Sequence, residues 1–314
     1  MEPMRSVDLS GHGTLVVRAM SEADLPALAR LYGRLSPEDR RRRFFSAGTP
    51  PMGFLERWYT RTRDDGVGLI AAVIDDPTGG TDGDVTIVAD AGYVLLPDGS
   101  GELAITVDPT WRGWLGHYVL DALVEAAAER GVETLEADVL VENRTMMSLL
   151  DARGFAVMDH PDWNTVRMVI GTRGRIPTWP GPHDRPRILV EVPGGRWHAE
   201  EAATRAGYQV LACPGPRRGP GGRCPHLDGE PCPLAEGADA VVVSLVMDDT
   251  GQEILHQHRE LYPEVPVCVS SVRSSDLEAG ASEADEVVPT SRDMAPLLAA
   301  LERLTGGPRE SGSS

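Results

Sequence analysis

Residues 101–119, GELAITVDPTWRGWLGHYV, constrain this chain more than any other stretch. They read as a short apolar strand, a turn built from Pro109, Trp111 and two glycines, and the start of an amphipathic helix. A strand that runs straight into a helix aims the helix's unpaired first-turn N–H groups, and the positive end of its dipole, at one spot. Such a junction is a ready anion site.

The same rules divide the rest. Residues 14–20 read as a strand. Ser21 then caps a helix with Glu22 and Asp24 in its first turn and Leu25, Leu28 and Leu31 on one face. Ser36 and Pro37 open a second helix that carries Arg40 to Arg43. Residues 68–75 and 85–96 are apolar enough for two strands flanking the turn PTGGTDGD, and 103–107 form the next. A helix over 116–130 carries Val119, Leu120, Leu123 and Ala127 as its stripe and stops at Gly131. A strand at 134–141, a helix at 144–153 closed by Gly154 and a strand at 166–171 complete this part.

Residues 173–186 hold four prolines and read as a linker. Beyond it the pattern changes to regular strand–helix alternation over 187–304, the mark of a parallel sheet covered on both faces. Residues 1–13 read as a flexible lead and 305–314 as a disordered tail. The 314 residues thus predict two domains, 14–172 and 187–304, each large enough for its own core.

A formal charge of −18 argues against nucleic acid as partner. No apolar run approaches the roughly 20 residues that span a bilayer, and the N-terminus shows no secretion signal. The expectation is a cytoplasmic protein without membrane or nucleic-acid partners. All 30 basic residues are arginine, which excludes Schiff-base chemistry and a P-loop lysine. The arginine run reads as a solvated helix face or, more sharply, as a docking patch for an acidic acceptor or for the acidic second domain.

The order of elements in 14–172 resembles the Gcn5-related N-acetyltransferase (GNAT) superfamily. Three stretches carry the likeness: VVRAMSEADLPALARLY, ITVDPTWRGWLGHYVLDAL and ADVLVENRTMMSLLDARGF. The short GELA strand and LSPEDRRRRFF further resemble bacterial members that acetylate protein lysines. The resemblance implies an α/β fold with a mixed central sheet. It also implies an acyltransferase that moves acetyl from acetyl-CoA to an amine, on a protein lysine or a small molecule. Val107, Arg112, Gly113, Trp114, Leu115, Gly116 and His117 would line the pyrophosphate cradle, and Asn143 would contact the pantetheine arm or cap the helix that follows. The turn is one residue and one glycine shorter than the family's usual form. Glu102 matches the carboxylate of the protein-acetylating members; it is either a base whose pKa partial burial raises, or a solvated strand-edge residue. Leu150 stands where many members carry a tyrosine acid, leaving water, Tyr118 or His117 to supply that proton. The rival expectation is a non-catalytic acyl-CoA-binding regulatory protein.

Residues 187–304 resemble a response-regulator receiver, a flavodoxin-like parallel-sheet domain, through RILVEV, ADAVVVSLVMDD, YPEVPVCVSS and ASEADEVVP. The phosphate-accepting position reads Ser244, the acidic pair is reduced to Glu191, and Ser270 stands where the hydroxyl residue belongs. The resemblance implies a pseudo-receiver that regulates the first domain or recruits a protein partner. Its insertion at 213–234 brings Cys213, Cys224, His226 and Cys232 together in sequence, a Cys₃His set for zinc or an iron–sulfur cluster, or else a mobile loop of thiols. Cys268 reads as core.

Overall fold

The computed structural model describes residues 4–9, 13–75, 84–154, 156–174, 176–214 and 224–307. The expected turn at 77–84 apart from Asp84, most of the lead, the centre of the cysteine-bearing insertion and most of the tail lie outside the described residues. The chain divides into two compact units, Met1–Asn143 and Arg144–Ser314.

In the first unit, β1 (Arg5–Asp8) pairs antiparallel with β2 (Thr14–Ala19). β1 falls inside the expected flexible lead; polar Arg5, Ser6 and Asp8 hide a strand whose Val7 registers with Leu15. Then come α1 (Leu25–Arg34), α2 (Pro37–Phe44) and α3 (Met52–Asp64). The Ser36 hydroxyl accepts the Asp39 N–H at 3.0 Å, the N-cap its sequence signalled. β3 (Gly66–Asp75), β4 (Asp84–Leu95) and β5 (Gly101–Val107) follow as an antiparallel meander. Leu28, Leu31, Tyr32, Leu55, Ile70 and Ile87 form a core between these helices and the sheet.

β5 leads through one 3₁₀ turn (Pro109–Trp111) into α4 (Leu115–Glu129), which crosses back to β6 (Thr134–Leu140), parallel to β5. The sheet order is β1-β2-β3-β4-β5-β6, antiparallel except for its last pair. β5 and β6 are each seven residues long yet pair only at Gly101 with Leu135 and Glu102 with Glu136. Beyond those two positions they diverge. A bulge in β4, where Val88 is the extra residue opposite Ala71 and Ala72, adds local twist beside that opening.

The second unit begins with α5 (Arg144–Asp151) and the antiparallel pair β7 (Ala156–Asp162) and β8 (Thr165–Gly171). Next come β9 (Arg187–Glu191), α6 (Glu200–Arg205), β10 (Gln209–Cys213), α7 (Pro233–Glu236), β11 (Ala240–Val243), α8 (Asp249–Leu261), β12 (Val267–Ser271), α9 (Ser274–Gly280), β13 (Glu286–Pro289) and α10 (Ala295–Thr305). Five parallel strands take the order β10-β9-β11-β12-β13, which in sequence is second, first, third, fourth, fifth. β7 runs antiparallel beside β10. Within 173–186, the expected linker, Trp179 is buried and its indole N–H donates to the Leu234 carbonyl at 2.7 Å. Among the described residues no helix is long and apolar enough to cross a membrane.

Candidate functional site

The opening between β5 and β6 and the turn after β5 share one end of the first unit's sheet. Asp108 organises the turn. Its Oδ1 accepts the N–H and the hydroxyl of Thr110, at 3.1 and 2.8 Å. Its Oδ2 meets Arg34 Nε of α1 at 2.8 Å, and Arg34 also donates to the Ile87 carbonyl at the bulge. Burial raises the Asp108 pKa, but the Thr110 donors and the Arg34 charge outweigh it and hold the carboxyl below its usual range.

Past Asp108, Gly113 takes φ 108°, a backbone state that side chains disfavour, with open space where a Cβ would stand. α4 starts two residues later with Trp114 at its N-cap and no side chain capping it. Its first N–H groups therefore have no intrahelical acceptor. Leu115 is buried and fixes the helix to the core, while Arg112, Gly113, Trp114 and His117 are exposed and Gly116 is half-buried. Arg112 does not point freely at this spot; it pairs with Asp39 of α2 at 2.7 Å. Val107, the last residue of β5, is half-buried, as is Asn143, whose N–H turns back to the Leu140 carbonyl at 2.7 Å.

Glu102 is exposed near the start of β5, the second of the two settings expected for it. The arginine run is solvated only in part: Arg41 is exposed, and Arg40, Arg42 and Arg43 are half-buried. Arg40 donates to the carbonyls of Leu35 and Ala47, Arg41 pairs with Glu142, and Arg42 pairs with Glu38. Arg43 turns inward, its Nε on the Thr106 hydroxyl at 3.0 Å and its guanidinium 4.0 Å from Asp90. Arg41, Arg42 and Arg43 thus face carboxylates of the same unit, and Arg40 faces two backbone carbonyls.

Asp90 is a residue that sequence reasoning missed. It is fully buried on β4, and neither carboxylate oxygen has a hydrogen-bond partner; nor do the Tyr32 hydroxyl and the Trp58 indole N–H. Burial pushes its carboxyl pKa up, against the pull of Arg43 and of the nearby Thr106, Tyr32 and Trp58 donors. Its only sequence signal is an aspartate interrupting the apolar run VTIVADAGYVL.

In the second unit the expected Cys₃His set does not assemble as such. The ligand group that converges among the described residues is Glu191, His226 and His258, all buried. Cys213 ends β10, Cys224 begins the 3₁₀ turn that holds His226, and Cys232 caps α7. Burial and the Glu191 charge push the Cys224 thiol up to about 12, and burial is the main cause raising Cys232 to about 11. Cys268 is core, as expected. His258 was legible only as a histidine on the apolar stripe of α8, three and four residues past Leu255 and Ile254.

No family model matches the sequence, and no curated protein does either. Solved structures do match. The GNAT domain of S. lividans PAT is 23% identical over 53% of this chain and 96% of its own, with a TM-score of 0.45. YncA, a putative acetyltransferase from Salmonella typhimurium solved with its cofactor acetyl-CoA, is 17% identical over 50% of this chain and 94% of its own, with a TM-score of 0.40. Spermidine N-acetyltransferase from Vibrio cholerae, in complex with CoA and spermine, is 15% identical over 50% and 95%, again with a TM-score of 0.40.

Proposed function

We propose that the first unit carries the cofactor site of an acetyl-CoA-dependent N-acetyltransferase of GNAT type, the activity expected for residues 14–172. One observation carries the reading: β5 and β6 part after two paired residues, and the turn leaving β5 delivers the uncapped N-terminus of α4 at that opening. A pyrophosphate needs several N–H donors and gains from a helix dipole, and the turn at 112–117 offers both. Val107 and Asn143 would bound the pantetheine arm. An acceptor amine, on a protein lysine or a small molecule, attacks the thioester carbonyl, the C–S bond breaks, and CoA leaves as thiolate. The amine proton passes to Glu102, directly or through water. An exposed carboxylate fits the second of these routes, since water reaches it.

The second unit's strand order is one of the common doubly wound orders, the flavodoxin-like one. We read it as a pseudo-receiver. Ser244 follows β11 with its N–H on the Glu191 carbonyl at 2.8 Å, and Ser270 lies buried with its hydroxyl 3.2 Å from that of Thr290. Neither residue accepts a phosphate as an aspartate does. Its proposed role is regulation or recruitment of a protein partner.

Glu102→Gln tests the chemistry. Turnover should fall by about 10²–10⁴-fold while acetyl-CoA affinity is unchanged. Unchanged turnover at saturating acceptor removes Glu102 from the mechanism. The exposure of Glu102 also favours a second reading, an acyl-CoA-binding regulator without catalysis. A free-thiol release assay with acetyl-CoA and a panel of amines separates the two: tight CoA binding with no thiol released on any acceptor selects the regulator.

A further inference from the structure

Glu191 is the last residue of β9, in register with Val243 of β11 and Cys213 of β10. Side chains alternate along a strand, so Glu191 shares a face with Leu189, which lies in the apolar core with Val241, Val243, Ile254 and Leu255. The sheet therefore drives a carboxylate, 3% exposed, into hydrocarbon. Two histidines meet it there. His258 lies on the buried stripe of α8 and His226 in the turn Pro225–Asp228, each 1% exposed.

The three groups sit close without satisfying one another. His258 Nε2 is 3.1 Å and His226 Nδ1 is 3.9 Å from the same oxygen, Glu191 Oε1. The imidazole rings cross at 76° with centroids 4.3 Å apart. Yet all four ring nitrogens and Glu191 Oε2 are buried without a hydrogen-bond partner. Each such orphan costs about 1–3 kcal/mol. A shared proton can serve one histidine and the carboxylate, and it leaves the other histidine orphaned. One divalent cation serves all three. Ligand atoms about 2.0–2.1 Å from a tetrahedral ion stand about 3.3 Å from one another, and the two separations here bracket that spacing.

We propose that Glu191, His226 and His258 form a zinc site inside the second unit. Two imidazoles and a carboxylate are a ligand set that zinc takes. The site has neighbours of the same chemistry: Cys224 stands two residues before His226 in the same turn, and the charges of Glu191 and Cys232 reach it. The ion ties together β9, the turn after β10 and α8, which follows β11. Its role is to hold the loop that carries Cys224 and His226 onto the sheet, so it is independent of acyl transfer.

The test uses the full chain without an affinity tag. Metal analysis should find about one equivalent of zinc per chain as isolated, or after dialysis against Zn²⁺ and then metal-free buffer. His226→Gln and His258→Gln should each cut this below about a fifth of an equivalent. A variant that fails to fold loses zinc for a trivial reason, so the wild type supplies the second readout. Chelation should lower its melting temperature, Zn²⁺ should restore it, and its zinc X-ray absorption spectrum should show imidazole scattering. Less than about a tenth of an equivalent in wild type after Zn²⁺ dialysis overturns the site, as does full zinc retention in either variant when folded.

Discussion

Asp90 and Glu191 are buried carboxylates, one in each unit, and the two units treat them oppositely. Asp90 sits on β4 of the first unit with a single guanidinium 4.0 Å away, and burial wins: its pKa rises. Glu191 sits at the end of β9 of the second unit with two imidazoles, and although burial again pushes upward, the histidines outweigh it and the pKa falls. Burial is nearly equal, at 0% and 3% exposure, so it does not set the difference. What differs is the kind and closeness of the partners: one guanidinium at 4.0 Å beside uncharged donors at Asp90, against imidazoles at 3.1 and 3.9 Å at Glu191. A buried acid with poor partners drifts toward its neutral form, whereas one with good partners keeps its charge and binds cations.

The largest effect expected from this contrast is at Glu191. Glu191→Gln strips the anion from two buried imidazoles, and removing one partner of a buried charged set costs about 3–5 kcal/mol. Asp90→Asn removes an acid already biased toward neutrality and keeps its shape and acceptor. Its loss should be smaller. Denaturant unfolding of both variants at neutral pH measures this, and equal losses break the comparison.

The second effect is a sign. A group whose folded pKa lies above its unfolded value binds more protons folded than unfolded. Its contribution is fully present below the unfolded carboxylate range and is lost as pH rises through the folded value. Wild type should therefore lose stability relative to Asp90→Asn as pH climbs from the unfolded carboxylate range toward neutrality. Denaturant midpoints of the pair along a pH series check it; a difference that grows in favour of wild type over that window refutes the assignment.

Neither carboxylate's fate was legible from the chain, although much of the frame was. Ser36, Pro37, Gly131 and Gly154 marked helix ends that the structure keeps, because caps and left-handed glycines act locally. The strand–turn–helix at 101–119 was legible for the same reason. α3, β7 and α9 went unread: charged or polar residues interrupt their apolar periodicity, and packing within their own units decides them. The arginine run misled because sequence displays charge without partners. Glu142, which pairs with Arg41, is 101 residues away, and Asp90 and Thr106 are far from Arg43 in sequence. The metal set misled in a related way. Neighbouring cysteines drew the eye to one loop, while convergence runs through Glu191 and His258 on other elements, 35 residues before and 32 after His226.

The smallest expected effect concerns what keeps Arg43 beside Asp90. Arg43 lies over the rings of Phe44 and Trp58, at 5.0 and 5.2 Å, and its one side-chain hydrogen bond of good length runs to Thr106 Oγ1. Thr106→Val keeps the branched shape in β5 and deletes that acceptor, at a cost of about 1–2 kcal/mol. The Thr106 hydroxyl also lowers the Asp90 pKa, so its removal should raise that pKa further and move the upper edge of the pH window upward. Coupling is the measurable quantity. In the Asp90→Asn background Thr106→Val should shift no pH window, only the baseline. If it moves the pH profile equally in both backgrounds, Thr106 acts on another titrating group and Asp90 is not the acid that Arg43 serves.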